Sequence, residues 1–98
     1  MGKFQEVIST DQPVLVEFYA QWCVPCKSLN PILKELAHDV GNRARILKID
    51  VDKNQKTAMD YNIQGVPALV IFKKGEIMWR QIGVVQEKEL LEQLKKLM

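Results

Sequence analysis

Between Val14 and Val51 the chain reads as strand, helix and strand, and that succession constrains its fold more than any other feature. Val14-Leu15-Val16-Glu17-Phe18-Tyr19-Ala20 is β-branched and aromatic, and apolar on both parities except at Glu17, as expected of a strand buried on both faces. From Val24 or Pro25 onward, Leu29, Leu33, Leu36, Ala37 and Val40 line one helical face, and Gly41 is placed to end it. Pro31 falls inside this helix and predicts a kink. Ala44 to Val51 then reads as a second strand. A strand, a helix of about four turns and another strand make a βαβ unit, with parallel strands and a right-handed crossover.

The flanking segments add to this unit without repeating it. Phe4, Val7 and Ile8 fall at helical spacing, enough for about two turns over Gly2 to Ser9. Asp52 or Asn54 is placed to cap a short helix that runs through Tyr61. Ala68-Leu69-Val70-Ile71-Phe72 is a strand, Lys73-Lys74-Gly75-Glu76 a turn, and Ile77 to Ile82 a partner strand ended by Gly83, so the pair predicts a hairpin. Gln86 to Leu97 is an amphipathic helix with Leu90, Leu91, Leu94 and Leu97 on one face. Its acids Glu87 and Glu89 come early and Lys95 and Lys96 late, which suits the helix dipole.

A chain of 98 residues is expected to form one domain over residues 1–98. Its net charge of +2, from 14 basic and 12 acidic residues spread evenly, argues against nucleic acid as a partner. The longest apolar run, Val66 to Phe72, is interrupted by Pro67 and too short to span a bilayer, and the first residues carry no apolar signal core. No membrane association and a cytoplasmic location are the resulting expectations.

Both cysteines lie at the junction of the first strand and the long helix, in Trp22-Cys23-Val24-Pro25-Cys26-Lys27. A cysteine attacks as its thiolate, and the first turn of a helix stabilises a thiolate with unpaired N–H groups and the positive end of the dipole. Cys23 is therefore the expected attacking thiol. Cys26, three residues on, lies on the same face and within reach to resolve a mixed disulfide. Pro25 removes an N–H that is unpaired at a helix start anyway. A zinc site competes with this reading, but the only histidine, His38, is twelve residues beyond Cys26, about 18 Å along a continuous helix. Metal binding would thus need a dimeric four-cysteine site, and structural core cysteines are the third alternative.

Glu17 is the anomaly of the first strand. A carboxyl among apolar neighbours has its pKa raised by burial and can take or give a proton; the competing expectation turns it to solvent from a half-buried strand. Lys48, inside the adjacent apolar strand, is its natural ion-pair partner, or else a snorkelling surface lysine. Trp79 is expected to be exposed or to pack on the hairpin, with contact to a partner as the alternative.

Together these residues resemble the thioredoxin family over nearly the whole chain, from Phe4 to Leu97. The resemblance rests on Val14 to Lys27 with its Cys-x-x-Cys, on Lys48-Ile49-Asp50-Val51-Asp52, on Tyr61 to Leu69, and on Gly83. Thioredoxins are themselves a standard instance of a depressed cysteine pKa, so that expectation is partly carried by the resemblance. The resemblance implies a cis bond before Pro67, and a flat apolar docking surface made by Trp22, Val24, Pro25, Val66, Pro67 and Gly83. Val24 stands where the commonest family motif has Gly, Glu17 where Asp is usual, Tyr19 for a frequent Trp and Ala68 for a frequent Thr. Nothing before Phe4 is long enough for the first strand of the usual five-stranded fold. The expected fold is thus α/β and thioredoxin-like, a four-stranded mixed sheet flanked by about four helices, with Ala44 to Val51 as an uncovered edge.

The expectation for function is a protein-disulfide reductase. Cys23 and Cys26 form its redox-active disulfide, Glu17 and Lys48 assist, and no cofactor or metal is bound. Electrons from NADPH through a thioredoxin reductase, disulfide-containing protein substrates, and a monomer with weak dimerisation open at the free edge complete it. The alternatives are an isomerase or oxidase of the same fold, and a binding module whose dithiol is incidental.

Overall fold

The computed structural model describes residues 2–98. Its elements are helix α1 (Lys3–Ile8), strand β1 (Val14–Tyr19), helix α2 (Val24–Val40), a 3-10 turn (Gly41–Arg43), strand β2 (Arg45–Asp50), helix α3 (Gln55–Asp60), strands β3 (Ala68–Lys73) and β4 (Glu76–Ile82), and helix α4 (Glu87–Lys95). The four strands form one sheet in the order β2-β1-β3-β4. As the βαβ reading requires, β1 and β2 are parallel, while β1/β3 and β3/β4 are antiparallel. β2 forms one edge of the sheet, as expected.

Strand β1 is central, which explains why its apolar residues occupy both parities. Val14, Leu15, Val16, Glu17 and Phe18 are all buried. On one face Leu15, Leu69 and Ile71 pack against Leu29, Leu33, Leu36 and Val40 of α2 and Leu90 and Leu94 of α4. On the other, Val14, Val16, Phe18, Val70 and Phe72 pack against Ile8, with Phe4 and Tyr61 at the margin. Each fully buried leucine contributes about 1.5–3 kcal/mol, and helix α2 supplies two of them, Leu29 and Leu36, on one stripe. The short α1 is held by edge-on aromatic contacts: Phe4 lies 5.4 Å from Tyr61 and 5.7 Å from Phe72, centroid to centroid. Such pairs add to simple area burial.

Several expectations are corrected in detail. Ala37 is exposed, so the buried stripe of α2 is narrower than the sequence suggests and is extended at its start by Cys26. Pro31 lies inside the helix, as the sequence places it. Neither Asp52 nor Asn54 caps α3 with its side chain. Instead, the nearly buried Asp50 carboxylate accepts the backbone N–H groups of Asp52 (2.9 Å) and Lys53 (3.3 Å), and Asn54 donates to the Asp50 carbonyl at 3.0 Å. The turn that follows β2 is thereby fixed by the end of the strand.

The β3–β4 hairpin closes through Lys74 and Gly75, both in the left-handed region with φ of 54° and 82°. That two-residue geometry matches strand twist and favours glycine. A bulge shifts register between Ile71, opposite Trp79, and Phe72, opposite Ile77. It leaves Trp79 half-buried and packed against the α2/α4 cluster, in line with the packing expectation.

Candidate active site

The site is built where β1 ends and α2 begins. Cys23 is the N-cap of α2, with extended backbone angles (φ −87°, ψ 107°), and its Sγ accepts the backbone N–H of Cys26 at 3.1 Å. A serine or threonine oxygen normally fills this position. Here a sulfur stands at the group of unpaired helix donors, so negative charge on it meets the positive end of a 17-residue helix. Cys23 and Cys26 are joined as a disulfide with Cα atoms 5.3 Å apart, an ordinary separation for such a bond. Both cysteines are only 3% exposed and pack with Ala20, against Tyr19, Val51 and Val66. The pair is therefore recessed, and what surrounds it controls access.

Two openings reach this neighbourhood. One is a cleft of about 270 Å³ lined by Tyr19, Cys26, Lys27, Asn30 and Lys48. The other, of about 160 Å³, runs between Trp22, Val51, Ile63, Gly65 and Val66. Trp22 and Val24 are each 70% exposed, and the Trp22 indole N–H donates to the Asp52 carboxylate at 2.9 Å, which fixes an otherwise free ring. Pro25 is exposed beside them. The Val66–Pro67 bond is cis, and the Pro67 carbonyl accepts the Gly83 N–H at 2.8 Å. Gly83 has φ of 105°, a conformation that suits glycine. It is flanked by the exposed side chains of Ile82 and Val84. Val66 is thus packed against the cysteines, and Pro67 carries Gly83 and its apolar neighbours on its carbonyl.

Glu17 has no solvent exposure, which removes the solvent-facing alternative. Its parity places it on the α2 side of β1, and neither carboxyl oxygen has a hydrogen-bond partner among the described residues. Burial pushes its pKa above the ordinary 4.5, and the positive charge of Lys48 opposes that rise. Lys48 is the register neighbour of Glu17 on β2, yet the expected ion pair does not form. Its Nζ donates to Asn30 Oδ1 at 2.7 Å and lies 4.8 Å from the centre of the Tyr19 ring. The lysine stem is long and flexible enough to carry its ammonium past its strand neighbour to partners at the cleft.

Sequence reasoning missed Asn30 and Asp52, the partners of Lys48 and Trp22. Asn30 carried a usable signal, since it follows Cys26 by four residues and shares its helical face. Asp52 carried none, because its contact depends on how the turn after β2 folds back.

The thioredoxin family profile matches residues 1–96 of the chain. The chain belongs to the thioredoxin family. It is 40% identical over 91 residues to the thioredoxin of Rickettsia typhi, covering 93% of this chain and 87% of that protein. It is 41% identical over 85 residues to thioredoxin C-2 of Corynebacterium nephridii, covering 87% and 79% respectively. Its fold superposes on the N21Q mutant thioredoxin of Halobacterium salinarum NRC-1 with a TM-score of 0.86 and 39% identity, over 96% of this chain and 81% of that one.

The thioredoxin-like fold and the Cys23–Cys26 pair make this chain a thiol-disulfide oxidoreductase whose working group is a redox-active disulfide drawn from its own sequence. Among the described residues, no three or more His, Cys, Asp or Glu side chains converge on a metal position, and no helix is long and apolar enough to cross a membrane.

Proposed function

We propose that residues 1–98 act as one domain and a cytoplasmic protein-disulfide reductase in which Cys23 attacks and Cys26 resolves. The observation that carries this division is the Cys26 N–H donated to the Cys23 sulfur at the start of α2. In the dithiol form, the Cys23 thiolate attacks one sulfur of a substrate disulfide. The Cys23–substrate bond forms, the substrate S–S bond breaks, and the leaving sulfur departs as a thiolate. Cys26 then loses its proton towards Glu17 and attacks the Cys23 sulfur. The Cys23–Cys26 bond forms and the second substrate thiolate leaves, so the substrate gains two electrons and the protein loses two.

Trp22, Val24, Pro25, Val66, Pro67 and Gly83 serve in this reading as the docking surface. Trp22, Val24 and Pro25 are exposed around the recessed disulfide, while Val66 and Gly83 are half-buried and Pro67 is buried beneath them; the exposed apolar part suits an extended segment of another protein. Lys48 contributes its charge at the cleft and not a direct pair with Glu17. A thioredoxin reductase using NADPH returns the electrons, and the protein works as a monomer.

Equilibration with glutathione buffers tests the direction of the chemistry. A reductase stays disulfide-bonded in buffers poised near about −200 mV, whereas an oxidase is already reduced there. Finding the dithiol at that poise overturns the reductase reading in favour of an oxidase or isomerase.

A further inference from the structure

Glu17 and Lys48 sit side by side in the parallel β1/β2 register, and their failure to pair calls for a cause. The Lys48 ammonium is engaged twice at the cleft mouth, by the Asn30 side-chain carbonyl at 2.7 Å and by the face of Tyr19 at 4.8 Å. Asn30 stands one helical turn beyond Cys26, and both line the same cleft. We propose that Asn30 and Tyr19 are positioning residues that park the Lys48 ammonium at the cleft mouth, away from the buried Glu17 carboxyl.

A charge-assisted hydrogen bond and a cation–π contact together satisfy the ammonium without removing it from water. Swinging inward would bury it and break both contacts. Left alone, Glu17 keeps its proton to higher pH, because burial raises its pKa and only the distant charge of Lys48 lowers it. Burial and Lys48 are the two influences on this carboxyl. From β3 and α4 the same face presents Leu69, Leu90 and Leu94, which carry no charge. Asp50, at the end of β2, is committed to the N–H groups of Asp52 and Lys53. From α2, Lys27 lines the cleft, and Cys26 is held in the disulfide.

This inference deepens the proton-carrier reading of Glu17 and rests on it only for the consequence in turnover. The test follows the Glu17 carboxyl by carbon-13 NMR in the oxidised protein while pH is varied. In Asn30→Ala the freed ammonium approaches Glu17, and its midpoint falls by about one unit, at the low end of what an adjacent opposite charge produces. Asn30→Asp retains an acceptor for Lys48, and the midpoint stays at or above its original value. Adding Lys48→Met to Asn30→Ala restores the high midpoint. An unchanged midpoint in Asn30→Ala, or a fall that persists without Lys48, overturns the proposal. The pH profile of disulfide reduction is measured alongside. A midpoint that moves while the profile stays fixed upholds the parking of Lys48 and refutes only the role of Glu17 in proton transfer.

Discussion

Replacing Glu17 with Leu should make the protein more stable and a poorer catalyst. The side chain has no solvent exposure and both its oxygens lack partners among the described residues, so the folded state carries the full desolvation of a carboxyl. Leaving a buried polar group unsatisfied costs about 1–3 kcal/mol, while a change to an apolar side chain of similar size costs under about 1.5 kcal/mol in repacking. A net gain of about 1 kcal/mol is expected where the wild-type carboxyl is protonated. The gain then grows with pH. Glu17 titrates near 4.5 when unfolded and higher when folded, so between those values the native protein holds a proton that the unfolded chain has released. Wild-type stability from this group is therefore complete below 4.5 and is lost as pH rises through the folded midpoint. The leucine variant has no such loss.

Urea unfolding of both proteins with the disulfide intact, below pH 4.5 and at mildly alkaline pH, measures the difference directly. Each kcal/mol gained should also appear as about 4–8 °C in Tm for a chain of this size. A leucine variant less stable than the wild type, or a difference that does not widen with pH, refutes the account of Glu17 as a buried, unpaired acid. Slower disulfide reduction in the stabilised variant would place it among sites that give up stability for function.

Further changes at three positions probe separate parts of the structure. Glu17→Gln keeps the shape but cannot carry a proton, so turnover of a protein disulfide should fall by roughly 10²-fold, with a flatter pH profile near neutrality; unchanged turnover removes Glu17 from the reaction. Asp50→Ala leaves the N–H groups of Asp52 and Lys53 without their acceptor and should cost about 1–3 kcal/mol in urea unfolding. Gly75→Val forces a β-branched residue to φ of 82° and should cost about 1–3 kcal/mol, whereas Gly75→Asn, which tolerates that region, should cost far less by the same measurement.

The sequence made the central unit legible because its signals reinforce one another. A doubly apolar strand, a helix starting at Val24 or Pro25 and a second strand left only the parallel crossover that β1, α2 and β2 adopt. The anomaly at Glu17 was equally readable, since an acid flanked by buried residues on both parities has no solvent side to face. What could not be read depended on side-chain reach and local register. Neighbouring positions suggested a Glu17–Lys48 pair, but a lysine has enough flexible length to leave its strand neighbour for Asn30 and Tyr19. Asn54 stands at the N-cap position of α3 but makes no side-chain cap bond, and the Asp50 carboxylate instead holds the turn that precedes the helix. The bulge opposite Ile71 and Phe72 interrupts the simple alternation of β4, so the inward turn of Trp79 was not fixed by its place in the strand. Trp22 and Gly83, proposed as docking residues, were singled out by resemblance, whereas the contacts that hold them arise only in the folded chain.

The division of labour between the two cysteines is the centre of the account. The most direct measurement is mass spectrometry of the adducts formed when Cys23→Ser and Cys26→Ser variants, each carrying one thiol, meet a disulfide-containing protein. The N-cap geometry of Cys23 predicts a stable mixed disulfide through Cys23 in Cys26→Ser and little or none in Cys23→Ser. Preferential trapping through Cys26 would contradict it.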